Sequence, residues 1–401
     1  MRILQLCIKP PYPPVDGGTM AMNGITQGLL EAGCEVRVLS VCSEKHPVLR
    51  HQMTDDYVNR TRFEAVELDL RPKPLDALVA LLCGDSYHVT RFISREFESK
   101  LTEILGEQEF DVVHLESVFL TPYVPVIRRY SKAKVVMRAH NVEHQIWQRV
   151  AKQTRNPLKR WYLKRLALAL AYYERVHAAD YDGIVCITEK DGEFFKAHTR
   201  KTIECIPFGV VCPEPIGNVE EEPFSLFHIG SMDWMPNEEG VRWFLDKVWP
   251  VLHEELPQVR LYLAGRKMPD DLMVLNVDGV RVVGEVDDAS YFIASKQINV
   301  VPLLSGSGIR VKIIESMSLG KTVISTTVGA QGILCEDGRD ILIADTPEEF
   351  VKQVRRCVED PEFCKNVGDC AYRLIATEYD NNRLTDRLLN FYRRIGAENG
   401  Q

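Results

Sequence analysis

At 401 residues, 45% of them hydrophobic, the chain is long enough for two domains of about 200 residues, each with its own core, and its composition excludes disorder and fibre. A formal net charge of −8 argues against a general nucleic-acid binder. The 11 cysteines are scattered, form no Cys-x-x-Cys pair and leave Cys205 and Cys212 too far apart for a zinc knuckle, so they read as free thiols of a reducing cytoplasm and not as a disulfide or metal framework.

The first six residues enter an apolar strand without a basic lead or cleavage site, and no run reaches about 18 apolar residues. Neither an export signal nor a membrane span is therefore expected. Charge is uneven: residues 1–200 hold 28 Lys and Arg against 25 Asp and Glu, and the remainder 21 against 32. The less acidic half suits an anionic acceptor or a membrane surface.

A strand is predicted over 2–8, and residues 9–18, KPPYPPVDGG with four prolines, form a loop leaving its carboxyl end. A helix over 20–31, closed by Gly33, and a strand over 36–42 complete a doubly wound unit, in which ligands collect at the carboxyl ends of the strands. Gly17 and Gly18 then sit where backbone amides can approach a phosphate or a reacting sugar. Residues 46–76 read as short strands and loops with a strand over 66–70. Helices follow over 75–82, 91–105 and 121–130, and strands over 111–115 and 134–139. At the end of the last strand stand His140, Asn141, Glu143 and His144. His140, Glu143 and His144 fit the H-x-x-E-H pattern of inverted zinc peptidases, but that site needs the motif inside a helix and a distant acidic ligand. The strand-end position sets zinc aside.

A long helix over 155–179 is rich in Lys and Arg at its start. It is expected to bury Leu163, Leu166, Leu170 and Tyr173 and turn Lys159, Arg160 and Lys164 to water, a solvated face in preference to a lipid-binding one. Asp180-Tyr-Asp182 has the form of a metal-binding Asp-x-Asp motif but ends a helix, the wrong place for one. Strands over 183–187 and 203–206 precede a linker, and the pattern restarts with a strand over 224–229 and a loop over 230–237. A helix over 241–255, strands over 260–264 and 280–283 and a loop over 284–288 follow. Helices over 347–359 and 381–395 close the chain.

The stretch 305–332, SGSGIRVKIIESMSLGKTVISTTVGAQG, is the one the rest is organised around. It follows an apolar strand over 298–304. Gly306 and Gly308 allow a sharp turn and a close approach to a ligand. A helix from Arg310 to a Gly320 stop points unpaired N–H groups and its positive end at the strand termini. Arg310 and Lys312 add two charges there, and Glu315 can accept hydrogen bonds from a sugar diol. A strand over 322–327 follows.

This stretch resembles the donor-binding motif of glycosyltransferase family four, retaining enzymes of the GT-B fold. In that family two glutamates lie eight positions apart across a glycine-rich turn, and the second holds the ribose of a nucleotide sugar. Glu315 matches the second. The first falls at Ser307, a departure that bears on which sugar is transferred, and one subgroup carries it with the same Gly-Ser-Gly, Arg, Lys and Glu. The resemblance implies an α/β chain of two facing doubly wound, Rossmann-like domains with a cleft between them. These are an acceptor-side domain over 1–206, a linker over 207–223 and a nucleotide-sugar domain over 224–377, with 378–401 packing back on the first domain. It implies donor contacts from Gly17, Gly18, Gly230, Ser231, Ser307, Gly308, Ile309 and Glu315, and places His140 beside the transferred sugar. In the family the 230–237 loop carries an arginine and a lysine for the diphosphate. Here Ser231 and Asn237 stand there, and Arg310 and Lys312 are the substitutes.

The implied activity is transfer of a sugar, with retention and without metal or cofactor, from a nucleotide-diphosphate sugar. The acceptor is a glycan, a lipid-linked or another hydroxyl compound, in cell-surface polysaccharide synthesis. The expected location is cytoplasmic, with peripheral contact at the inner membrane surface left open and no nucleic-acid partner. A nucleotide-sugar epimerase of the same fold and a non-catalytic glycan-assembly partner are the alternatives.

Overall fold

The computed structural model describes residues 1–210, 219–306 and 310–397. The expectations for Ser307, Gly308, Ile309 and much of the 207–223 linker lie outside the described residues. The chain divides into two compact units, Met1–Gly209 together with the residues from Asn381 onward, and Val210–Asp380.

In the first unit seven strands, β1 (Arg2–Cys7), β2 (Glu35–Cys42), β3 (Glu64–Glu67), β4 (Val112–Leu115), β5 (Lys134–Ala139), β6 (Gly183–Cys186) and β7 (Thr202–Cys205), form one parallel sheet. Their order is β3-β2-β1-β4-β5-β6-β7. β1 lies between β2 and β4, with Ile3 opposite both Val36 and Val112, so the order reverses there and leaves a crevice at the carboxyl ends of β1 and β4. The inner strands are apolar on both faces because helices cover both. Leu4, Leu6, Val113, Leu115 and Met137 face one layer. Ile3, Val36, Val112, Val136 and Val185 face the other, which includes the closing helix Asn381–Ala397 through Leu384, Leu388 and Phe391. A Cβ at Gly183 would lie 2.5 Å from the Phe391 ring, so only glycine lets that helix approach β6 so closely.

The second unit repeats the plan with β8 (Ser225–Ile229), β9 (Arg260–Ala264), β10 (Val280–Gly284), β11 (Ile298–Val301), β12 (Thr322–Ser325) and β13 (Leu342–Ile343). The order is β10-β9-β8-β11-β12-β13, and the crevice falls between β8 and β11. Two doubly wound parallel sheets are thus present, as the sequence predicts.

Several boundaries differ from the sequence reading. Gly17 and Gly18 are not loop residues: the helix Gly17–Glu31 begins with them, because Asp16 accepts a hydrogen bond from the Thr19 amide while the Thr19 hydroxyl accepts one from the Asp16 amide. A helix Asp55–Thr61 occupies part of 46–76, started by Thr54, and β3 lies slightly upstream of 66–70. The predicted 91–105 helix starts later, as Arg95–Glu107 capped by Ser94, and a separate short helix, Tyr87–Thr90, precedes it. The 241–255 helix starts earlier and runs as Met235–Trp243, a wider π turn over Phe244–Val248 and Trp249–Glu255. Helices Glu143–Gln153 and Pro361–Glu378 were not predicted at all.

Candidate functional site

In the second unit the chain leaves β8 at Gly230 and Ser231 and re-enters a helix at Met235, while the helix Val311–Ser318 follows β11 with Arg310 as its N-cap residue. Lys312 is thus in the first turn of its helix, and its side chain crosses to the end of β8. Its Nζ donates to Asn237 Oδ1 at 2.6 Å and lies 3.1 Å from His228 Nε2. The tautomer of His228 follows from its other nitrogen, which donates to the Val300 carbonyl at 2.8 Å. Nε2 is then a lone-pair acceptor for Lys312. A Cβ at Gly230 would stand 2.7 Å from Lys312 Nζ and 2.8 Å from Asn237 Nδ2, so the glycine makes room for the ammonium.

Burial, reinforced by the Arg310 charge, brings Lys312 down to about 7, with Glu315 pulling the other way. Burial together with the Lys312 charge holds His228 well below the usual imidazole range. Arg310 is itself buried, its guanidinium 5.3 Å from the centre of the Trp234 ring. Burial raises the Glu315 carboxyl against the pull of Lys312, and that carboxylate accepts no hydrogen bond among the described residues. Ser231 Oγ donates to Asp233 at 2.6 Å. The structure therefore brings Gly230, Arg310, Lys312 and Glu315 to one switch point, with backbone N–H groups at the helix start. Two cations, helix-start amides and a carboxylate one turn further in can hold a polyanion and a diol.

In the first unit the carboxyl ends of β1, β4 and β5 converge on Glu116, which is fully buried. It accepts from Gln5 Nε2 at 2.7 Å and from His140 Nε2 at 2.8 Å, with Arg138 Nη1 at 3.4 Å. Burial alone would raise this carboxyl, but the charges of Arg138 and His114, the latter 3.4 Å away, and the hydrogen bond from His140 hold it well below the usual range. An ionised Glu116 only accepts, so His140 donates through Nε2. Burial lowers the His140 pKa in spite of Glu116, and the neutral ring keeps a lone pair on Nδ1. His140 is half-buried. Gly18 abuts the same region: a Cβ there would lie 3.1 Å from Lys9 Nζ, which is paired with Asp16 at 2.6 Å.

His140 and His144 turn to different carboxylates, His144 Nδ1 meeting Glu174 at 2.6 Å, so the two histidines of the H-x-x-E-H pattern do not converge. Asp182 accepts from the Val135 amide and pairs with Arg128, which makes it a structural residue. Burial, with Glu174 and Asp191 nearby, pushes Glu143 up to about 8. A cavity of about 1070 Å³ opens at the ends of β1 to β3, lined by Ile8, Lys9, His46, Arg91, Phe92 and Phe119 among others, and is large enough for a small molecule. The sequence reading did not single out Glu116, Lys9, His228 or Trp234. Glu116 had one local signal, an acid directly after the apolar β4.

The pair of doubly wound parallel sheets is the GT-B architecture. Residues 223–360 match the family described as Glycosyl transferases group 1. An uncharacterized 44.6 kDa protein in the cps region of Klebsiella pneumoniae is 22% identical over 302 residues, 71% of this chain and 75% of that one. HepE of Anabaena in complex with UDP shares the fold at a TM-score of 0.67 and 12% identity, over 98% of this chain and 99% of that one. Sucrose-phosphate synthase of Thermosynechococcus elongatus does so at a TM-score of 0.67 and 14% identity, over 99% and 100%.

Proposed function

We propose that the protein transfers a sugar, with retention and without metal, from a nucleotide-diphosphate sugar to a glycan, lipid-linked or other hydroxyl acceptor in cell-surface polysaccharide synthesis. The observation that carries this reading is the Lys312 ammonium, held against Gly230 by Asn237 and His228 beside Arg310. When the bond from the sugar's anomeric carbon to the diphosphate oxygen breaks, negative charge builds on the leaving phosphate. Lys312, Arg310 and the helix-start amides stabilise it. The acceptor oxygen bonds to the anomeric carbon and its proton passes to the departing phosphate. Glu315 holds the ribose. The family resemblance further assigns Gly17, Gly18 and His140 to the donor's phosphates and sugar. Solved complexes of Anabaena HepE with UDP and with UDP-glucose support a nucleotide-sugar donor, and the cps-region relative supports a role in polysaccharide synthesis.

Thermal-shift screening of nucleotide sugars, then calorimetry of the best binder on the wild type and on Lys312→Ala, tests the reading. Loss of about 1.5 to 3 kcal/mol of binding energy is expected for a charge-assisted contact, and equal affinity of the two proteins would overturn the assignment. NMR of the product glycoside reads retention directly. Formation of a new sugar nucleotide without any acceptor would replace transfer by epimerisation.

A further inference from the structure

The helix Pro157–His177 has two apolar faces. One, through Leu163, Leu166, Ala167, Leu170 and Ala171, is buried in the first unit. The other is not. Leu158, Trp161, Leu168 and Tyr172 are 79%, 57%, 58% and 69% exposed, and their spacing of three, seven and four residues places them in one stripe along the helix. An ordinary surface helix is polar there. Leu75 and Val79 are exposed on the helix Pro74–Cys83, which packs beside it through Ala77 and Ala80 against Leu163 and Leu166.

Charge makes a second, independent observation. Between Lys152 and Arg175 the chain has seven Lys and Arg and a single acid, Glu174, in a protein whose net charge is −8. Glu174 is buried, where it accepts the Glu143 and His144 amides and the His144 ring. All seven cations are exposed, and among the described residues none of their side chains has an ion-pair partner. Unpaired cations interleaved with exposed Trp, Tyr and Leu match a surface that is anionic in its outer layer and apolar just beneath. A nucleic acid would use the cations but leave Leu158 and Leu168 against water. An acidic protein groove would have no need of so dispersed a positive field.

We infer that this face of the first unit docks on an anionic lipid bilayer, with Leu158, Trp161, Leu168 and Tyr172 entering the headgroup boundary and the flanking Lys and Arg meeting lipid phosphates. The inference stands on these two helices and not on the transferase reading. Docking there brings the first unit to membrane-borne hydroxyl compounds.

Flotation of the full chain with vesicles tests it. Partition onto phosphatidylcholine vesicles containing phosphatidylglycerol is expected, weakened by salt, with little onto phosphatidylcholine alone. Replacing Lys159, Arg160, Lys164 and Arg165 together by glutamine should lower partition by about a hundredfold or more, and the triple change Trp161→Ser, Leu168→Ser, Tyr172→Ser by about tenfold or more. All seven positions are exposed, so both variants should melt like the wild type, and far-ultraviolet circular dichroism gives a second check of folding. Equal binding to both vesicle types, no binding to either, or variants that float like the wild type would overturn the inference. So would a wild-type dimer in sedimentation velocity that the triple variant dissolves without any vesicle binding, since a second copy would then cover the face.

Discussion

Lys312 is only partly charged near neutral pH, because burial and Arg310 bring it down to about 7. An arriving diphosphate favours the ammonium and raises that pKa, so binding takes up a proton. Affinity should therefore be fully present below about 7 and fall as the pH rises toward the lysine's pKa in the complex. Calorimetry in two buffers of different ionisation enthalpy at pH above neutral should show the uptake, and Lys312→Ala should abolish it. For Arg310→Ala, turnover about a hundredfold lower is expected from loss of one charge-stabilising group, read as kcat with saturating donor. Glu116 behaves in the opposite sense. Its folded pKa lies well below the ordinary 4.5, so its contribution to stability is complete above about 4.5 and lost as the pH falls through the folded value. Replacement by glutamine strands the buried Arg138 and should cost about 3 to 5 kcal/mol at neutral pH, a gap that urea unfolding should show closing in acid. Arg310, Lys312 and Glu315 were legible in the sequence because glycines bracket them and mark a strand-turn-helix. Their partners were not. Asn237 and His228 lie 75 and 84 positions from Lys312, and only the β8 to β11 adjacency unites them.

At the scale of elements, the strands were legible because sheets covered on both sides need nearly continuous apolar runs, and these runs stand out from their turns. Helix starts were less so, because a cap of two or three side chains decides them. Asp16 and Thr19 begin a helix at two glycines, which by propensity alone belong to a loop. Removing the cap by Asp16→Ala should cost about 0.5 to 2 kcal/mol of stability, and Lys9 loses its partner with it. The β8 and β9 ends meet through a second glycine: Gly265 has φ +142 and a Cβ there would overlap the Gly230 carbonyl at 1.8 Å. Gly265→Ala should therefore push the 230–237 turn away from Lys312. Nucleotide affinity is expected to drop about tenfold or more for either Gly230→Ala or Gly265→Ala, with the Gly265 change also lowering the melting temperature, since backbone strain of about 1 to 3 kcal/mol is added there.

On the scale of the whole molecule, the chain builds its first unit from two distant stretches. The helix Asn381–Ala397 supplies Leu384, Leu388, Phe391, Tyr392 and Ile395 to the first core, and Tyr392 hydroxyl meets His114 Nδ1 at 2.6 Å. Deleting residues 381–401 should lower the calorimetric transition of the first unit and leave that of Val210–Asp380 in place. The apolar period of the helix was legible in the sequence, but its destination came only from family likeness, because an amphipathic stripe does not say which core it enters. A consequence follows for synthesis on the ribosome. The first unit leaves the exit tunnel first yet lacks one wall until residues 381–397 have been made, whereas the second unit has all its residues earlier. Completion thus runs against the order of translation, and throughout that interval the groove over Gly183 stays open to any passing apolar helix.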